Sequence, residues 1–250
     1  MEKKILVAID HSLQAMQAID YAALMDRVIV PSHFVLYNVQ PVLSQYLTEE
    51  AQRKQKARKV LEKTMAANEA KAREILESAA QRMVRKGVDA KRIETVTRPM
   101  DMGVANDILA VAKAQSYDAI VVARRGVSSV KTWFMGSVTA NLVEHADLTP
   151  IVVVDGAICS DKVLLVVDGS SSALRALDHV TFMLSGHPTK TLQVLHVRPR
   201  LQDYCEIDLT AETAQDAEEI LLNDDQHCMD DFHAQAQAVM KKNTFSGNRL

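Results

Sequence analysis

Short apolar segments alternate with longer amphipathic ones along the first part of the chain. The predicted strand segments are residues 5–9, 34–39, 93–97, 119–122 and 150–154. A short apolar run with β-branched side chains, such as residues 5–9, is typical of a parallel strand buried on both faces. The segments between them, which carry apolar side chains at near-helical spacing, are residues 12–25, 48–86, 104–115 and 137–145. Because helices separate consecutive strands, the pattern predicts right-handed βαβ crossovers and an α/β fold with a parallel sheet.

Two of these helices have recognisable ends. Ser12 is a candidate N-cap for helix 12–25, and Gly87 is a candidate terminator of the long polar helix 48–86. The apolar face of the first helix consists of Leu13, Met16, Ile19 and Leu24. The intermittent apolar stripe of the second consists of Val60, Leu61, Met65, Ile75, Leu76 and Met83. We therefore expect one long helix between the second and third strands.

A loop that suits an anion follows the fourth strand. Ala123-Arg124-Arg125-Gly126 is separated by nine residues from Gly136-Ser137-Val138-Thr139, which opens the last predicted helix. A strand that delivers a small-residue loop to a helix N-terminus directs unpaired backbone N–H groups and the positive end of the helix dipole at one point. Gly126 and Gly136 let the backbone approach an anion closely, and the Ser137 hydroxyl can cap the helix or donate to a phosphate oxygen.

The carboxyl ends of three predicted strands converge on this loop. Ligands of open α/β sheets bind beyond the carboxyl ends of the strands, where the strand order reverses. Asp10 ends the first strand, Val39 ends the second, and the segment 123–137 leaves the fourth. We therefore expect these residues to border one crevice.

Each candidate has a simpler structural interpretation, and both stay open. Asp10 could only cap the following helix, and the Gly136-Ser137 pair could be a tight turn with a helix cap. Arg124 and Arg125 could contact phosphates or could be solvated loop residues. The basic run 53–59 is interpreted as a solvated helix face because acidic residues flank it.

These motifs resemble the universal stress protein family. The family pattern is Gly, two residues, Gly, nine residues, Gly, then Ser or Thr, and it is matched here by Gly126, residues 127–135, Gly136 and Ser137. Residues 4–10 resemble the first strand of the family with its nucleotide-contacting aspartate, and residues 117–122 resemble the fourth. The resemblance implies a Rossmann-like fold of the adenine nucleotide alpha hydrolase-like (HUP) type.

The resemblance also implies a ligand and the residues that hold it. ATP, with or without Mg²⁺, is the expected ligand of the ATP-binding branch. Asp10 would bind the ribose or adenine side, the backbone around Val39 would read the adenine edge, and Gly126, Gly136, Ser137 and Val138 would hold phosphates. The residues assigned to the site are Ala8, Asp10, Val39, Ala123, Arg124, Gly126, Gly136, Ser137 and Val138.

Two positions depart from the family pattern. Ala123 stands where the first loop glycine is expected, and a methyl group there costs affinity if the position needs positive φ or close approach to phosphate. His11 follows Asp10, where the later motif Asp168-Gly169-Ser170 has glycine. These departures favour a second interpretation, a stress-response interaction or dimerisation module that binds no nucleotide.

The chain repeats its own beginning at a constant offset of 158 residues. Residues 4–12 align with residues 162–170, and the same offset aligns 18–20 with 176–178 and 39–41 with 197–199. At this offset the second copy ends before its third strand. We therefore predict a complete universal stress protein domain at residues 1–156 and a partial second one at 161–250 that lacks the last three strands and the phosphate loop.

The amino-acid composition limits the kinds of partner that we expect the chain to bind. A net charge of −3 does not attract nucleic acid, and no apolar run approaches the roughly 20 residues that span a bilayer. The N-terminus enters a strand without a signal-peptide pattern, so we expect a cytoplasmic protein. The three cysteines, Cys159, Cys205 and Cys228, lack metal-ligand spacing, and no metal site is predicted.

The resulting functional hypothesis is a nucleotide-responsive stress protein that changes partner binding with occupancy. No catalytic residue is assigned, because His145 and Asp147 have no nucleophile or metal cluster beside them in the motif pattern. A slow ATP hydrolase is the third interpretation. The apolar strand Ile151–Val154 would be a sheet edge, so we expect a homodimer formed through it.

Overall fold

The protein is described by a computed structural model that covers residues 2–29, 31–125, 135–147, 149–157, 160, 162–185, 191–198, 200 and 211–245. Contacts divide the chain into two compact units, Met1–Ile158 and Cys159–Leu250. Each unit is an α/β arrangement with its own parallel sheet, so the predicted fold class is confirmed.

The first unit has a five-stranded sheet in the order β3-β2-β1-β4-β5. Its strands are β1 Lys3–Ala8, β2 Ser32–Gln40, β3 Ile93–Pro99, β4 Ala119–Ala123 and β5 Ile151–Val154. All four neighbouring pairs are parallel. The central strands β1 and β4 are almost wholly buried, as the apolar runs predicted.

Helices separate the strands of this unit. They are α1 Ala15–Asp26, α2 Gln45–Arg53, α3 Gln55–Arg85, the 3-10 helix Ala90–Arg92, α4 Val104–Ala114 and α5 Ser137–His145. The helices α4 and α5 share a core cluster with the sheet that includes Leu6, Tyr37, Ile108 and Leu142. This packing fixes the N-terminus of α5 beside the carboxyl end of β4.

The first helix begins later than the pattern predicts. α1 begins at Ala15, so Leu13 lies in the preceding turn and is 85% exposed. The buried face of α1 is built from Ala15, Ala18, Ile19, Ala22 and Ala23, together with Asp26. Small side chains let the helix approach the sheet closely, so the prediction of a Leu13-based face was wrong. Ser12 nevertheless accepts a hydrogen bond from the Ala15 N–H at 3.1 Å and acts as a cap.

The predicted helix 48–86 is two helices. Lys54 adopts an extended conformation, with φ −127° and ψ 122°, and α2 packs against α3. Neither Gly nor Pro marks this break, so tertiary packing sets it. The apolar stripe also fails at its start, because Val60 and Met65 are exposed while Leu76 and Met83 are buried. The helix end was predicted correctly, since Gly87 has φ +103° and its N–H donates to the Val84 carbonyl.

The second unit contains two parallel strands and two helices among its described residues. They are β6 Lys162–Val167, α6 Ser171–Met183, β7 Thr191–His196 and α7 Ala211–Lys242. The pairing of Lys162 with Thr191 repeats that of Lys4 with His33, 158 residues earlier. The turn after β6 also repeats the turn after β1: the carboxylate of Asp168 accepts the Ser170 N–H at 3.0 Å.

Candidate functional site

A cavity of about 600 Å³ opens at the carboxyl ends of β1, β2 and β4. It lies beside the reversal in strand order between β1 and β4, where α/β folds bind ligands. The predicted site residues that line it are Ala8, Asp10, Val39, Ala123, Gly136, Ser137 and Val138. Its volume falls in the usual range for small-molecule sites, about 300–1,000 Å³.

The inner wall of the cavity is largely apolar. Tyr37 and Ile108 are buried there, and Val39, Val104 and Val122 also line it. Burial raises the pKa of the Tyr37 hydroxyl, so this group stays protonated at neutral pH and can donate a hydrogen bond. Such a wall favours an apolar or aromatic ligand group over a charged one.

The N-terminus of α5 forms a polar wall. The Gly136 N–H donates to the Arg124 carbonyl at 2.9 Å, and the Gly136 carbonyl accepts from Ala140 at 2.8 Å. The Thr139 hydroxyl donates to the Ala123 carbonyl at 2.9 Å and is buried. The N–H groups of the first turn have no partner within the helix, so this wall offers backbone donors and the positive end of the helix dipole.

Asp10 has a structural role that leaves one oxygen for a ligand. Its Oδ1 accepts hydrogen bonds from the Ser12 N–H at 3.0 Å and from the Ser12 hydroxyl. No described residue hydrogen-bonds its Oδ2. The capping interpretation of Asp10 therefore describes a real contact, and the residue that makes it also lines the cavity.

Asn38, which the sequence analysis did not single out, helps to hold this edge of the sheet. Its amide donates to the Ile9 carbonyl at 2.8 Å and thereby links the ends of β1 and β2. A buried amide just before Val39 in a predicted strand is the only signal that could have suggested it.

The two loop arginines occupy different places. Arg125 lines the cavity, whereas Arg124 is not among the lining residues and forms an ion pair with Asp155. Gly126, the remaining predicted site residue, lies outside the described residues.

Ala123 and His11, the two departures from the expected sequence pattern, do not strain the backbone. Among the described residues other than glycine, positive φ occurs at Ser116 and Thr244. Ala123 is the last residue of β4, and His11 does not use the conformation of Gly169, whose φ is +79°. Any effect of Ala123 or His11 on a ligand must therefore come from the side chain.

Sequence reasoning missed one wall entirely. Asn68, Lys71, Ala72 and Ile75 of α3 line the cavity at the spacing of a single helix face. Their periodicity was visible, but no motif tied this part of α3 to the loop.

Neither a metal-binding cluster nor a membrane-spanning helix is found among the described residues. They contain no group of three or more His, Cys, Asp or Glu side chains placed to hold a metal ion. No described helix combines the length and apolar character needed to cross a bilayer.

Comparisons with known proteins identify relatives of the first unit. The model of the universal stress protein family matches residues 1–155. Comparison with curated proteins gives no match.

Solved structures give the fold. A universal stress protein from Archaeoglobus fulgidus DSM 4304 is 21% identical, with a TM-score of 0.56 over 88% of this chain and 74% of that one. Universal stress protein UspA from Lactobacillus plantarum is 22% identical, with a TM-score of 0.48 over 61% of this chain and 97% of that one. A universal stress protein in complex with cAMP is 21% identical, with a TM-score of 0.42 over 61% and 97%.

Proposed function

The chain belongs to the universal stress protein family, and we propose that its first unit binds ATP in the cavity at the carboxyl ends of β1, β2 and β4. In this proposal, occupancy of the cavity changes the binding of a protein partner during stress. The observation that carries the proposal is the meeting of an apolar wall, the Asp10 carboxylate and the N-terminus of α5 around one cavity.

Each wall suits a different part of an adenine nucleotide. The backbone at Val39 and the apolar wall suit the base, since a purine is flat and needs few polar contacts. The Asp10 Oδ2, which no described residue hydrogen-bonds, suits a ribose hydroxyl donor. The first turn of α5, from Ser137 to Thr139, suits phosphate oxygens because its donors and dipole favour negative charge.

Calorimetry with ATP and Mg²⁺ tests the proposal on the full chain, after bound nucleotide has been removed. We expect micromolar binding, equivalent to about −8 kcal/mol. Ser137→Asp should weaken it at least about tenfold, because a carboxylate within a few ångströms of a phosphate costs more than about 1 kcal/mol. The same aspartate stabilises a helix N-terminus, so the variant should melt no lower than the wild type.

Ser137→Asn is the matched control, since it adds a polar group of similar size without charge. Equal ATP affinity in the two variants would contradict a phosphate at α5. A folded wild type that binds no ATP would contradict the proposal as a whole and leave the nucleotide-free interaction module as the better account.

We also propose a homodimer formed through β5, the strand at one end of the sheet. The carbonyl of Pro150 accepts from the N–H of Ile120 in β4, and that of Val154 accepts from the N–H of Arg124, the residue after β4. Because alternate residues of a strand face the same neighbour in a parallel ladder, the backbone groups of Ile151 and Val153 face away from β4. They can pair with a second copy.

Sedimentation of two variants tests the dimer. Val153→Pro removes one outward N–H, which an edge position tolerates, and should shift the chain to monomer. Val153→Ala shortens the same side chain and keeps the N–H, so it should remain dimeric. If both variants sediment like the wild type, β5 is not the interface.

The second unit is proposed to be a partial copy of the first. The support is the common 158-residue offset in sequence, in strand register and in the turn that follows the first strand of each unit. No strand equivalent to β4 is found among its described residues, so we assign one nucleotide site, to the first unit.

A further inference from the structure

Helix α3 contributes a cation to the cavity that the loop motif does not predict. Among the described residues that line the cavity, those with formal charge at neutral pH are Asp10, Lys71 and Arg125. Two of these three are cationic in a chain whose net charge is −3. The cavity therefore concentrates positive charge from two separate elements, the loop after β4 and the middle of α3.

Lys71 lies where α3 changes from packed to exposed. The buried residues of the helix are Ala72, Leu76, Ala79 and Met83, and all of them follow Lys71. Asn68, Lys71, Ala72 and Ile75 share the face that lines the cavity. Ala72 thus anchors the helix while Lys71, one residue earlier, reaches the cavity on a flexible stem.

The contact that Lys71 makes in this structure is easily exchanged. Its Nζ lies 2.9 Å from Glu74 Oε2, and the two side chains are 64% and 70% exposed. Exposed pairs of this kind contribute little to stability because water screens them. A phosphate group carries more charge and more acceptor oxygens than one carboxylate, so it competes well for the same ammonium group.

Of the two arginines in the described part of the loop, one lines the cavity. Arg124 pairs with Asp155 and does not line the cavity, which leaves Arg125 as the lining arginine of the described loop residues. The backbone donors of α5 act on the phosphate group nearest to the helix N-terminus. A longer phosphate chain carries further charge, and Lys71 is positioned to meet it.

We infer that Lys71 is a specificity-determining residue that makes the cavity prefer nucleoside polyphosphates over monophosphates. This inference rests on the proposed nucleotide site in the first unit. In it, Lys71 leaves Glu74 and binds the outer phosphates, while α5 and Arg125 hold the inner ones.

Calorimetry of the full chain with ATP, ADP and AMP tests the inference, with the matched variants Lys71→Met and Lys63→Met. Methionine keeps the apolar stem in both, and Lys63 is exposed on the same helix and does not line the cavity. Lys71→Met should weaken ATP binding about tenfold, which corresponds to about 1.4 kcal/mol, and change AMP binding less than twofold. Lys63→Met should bind all three nucleotides like the wild type.

Three results would overturn the inference, and they have different meanings. Equal ATP affinity in the two variants would show that Lys71 does not contact phosphate. An equal loss for ATP and AMP in Lys71→Met would show a general effect on the cavity instead of phosphate-chain selection. If the wild type binds none of the nucleotides, the proposed function itself fails, and the inference fails with it.

Discussion

The ion pair between Asp26 and Arg92 should be one of the most sensitive points in the first unit. Asp26 ends α1, Arg92 ends the 3-10 helix, and Ser32 begins β2. The Arg92 guanidinium donates to both carboxylate oxygens, the longer bond being 2.8 Å, and the Ser32 hydroxyl donates to Oδ1 at 2.8 Å. The side chains of Arg92 and Asp26 are 27% and 9% exposed. Three elements therefore depend on one nearly buried carboxylate.

The perturbation is Arg92→Met, which removes the charge and keeps an apolar stem. It leaves the Asp26 carboxylate with the Ser32 hydroxyl as its remaining side-chain partner. Removing one partner of a fully buried ion pair costs about 3–5 kcal/mol. Because water reaches part of the Arg92 side chain, we expect about 2–4 kcal/mol. Asp26→Asn in the Arg92→Met background should restore most of this loss, since it removes the unpaired charge.

A second ion pair on α1 provides a matched control. Arg82 makes a similar two-bond contact with Asp20 of α1, and their side chains are 37% and 34% exposed. Hydrogen bonds from Arg82 lower the pKa of Asp20, but screening by water limits such a pair to about 0–1 kcal/mol. Arg82→Met should therefore cost far less than Arg92→Met.

Urea denaturation measures both variants. Far-ultraviolet circular dichroism follows the loss of helix and strand structure in both variants. A loss of 2–4 kcal/mol lowers the midpoint by about 1–2 M at typical denaturant sensitivity. Equal midpoints for Arg92→Met and Arg82→Met would show that the burial of Asp26 does not determine the loss of stability.

Three further predictions concern other parts of the chain. Burial raises the pKa of Tyr117 to about 12, so its contribution to stability is complete below its unfolded pKa near 10 and is lost as pH rises through 12. Between pH 9 and 12, the Tyr117→Phe variant should lose about 2–3 kcal/mol less stability than the wild type. Urea midpoints across this pH range measure the difference. His196→Asn, which places in β7 the residue found at the equivalent Asn38, breaks the 2.8 Å contact with Asp225 and should destabilise the second unit by about 1–3 kcal/mol. An unchanged calorimetric transition for that unit would contradict this. Leu142→Ala leaves a cavity at a fully buried position on α5 and should lower the free energy of unfolding by about 2–5 kcal/mol. A lower melting temperature of the first unit would show this loss.

The strands and later helices of the first unit could be predicted because their signals are local. An apolar β-branched run such as Ile151–Val154 has few alternatives to a strand, and α5 begins and ends at the predicted residues 137 and 145. The break at Lys54 has no local signal. It depends on how α2 packs against α3, which no window of sequence contains.

The candidate site divides in the same way. Residues that follow strands could be predicted, because topology brings the carboxyl ends of β1, β2 and β4 together whatever lies between them. Lys71 and Asn68 could not, since their presence at the cavity depends on the angle at which α3 crosses the sheet. Arg124 was assigned to the site from its position in the motif, but it pairs with Asp155, thirty-one residues later. Nothing in the motif indicated this contact.

The two aspartates that follow β1 and β6 show which contacts the fold requires and which the proposed site requires in addition. Asp10 and Asp168 both accept the N–H of the serine two residues on, and hydrogen bonds from Ser170 lower the pKa of Asp168. This turn therefore needs only a strand and the helix after it. The proposed site needs more, because the cavity beside Asp10 is closed by β4 and by α5, and the described residues of the second unit contain the strands β6 and β7 alone. An aspartate in this turn is thus a structural cap first, and it can bind a ligand only where topology adds the remaining walls.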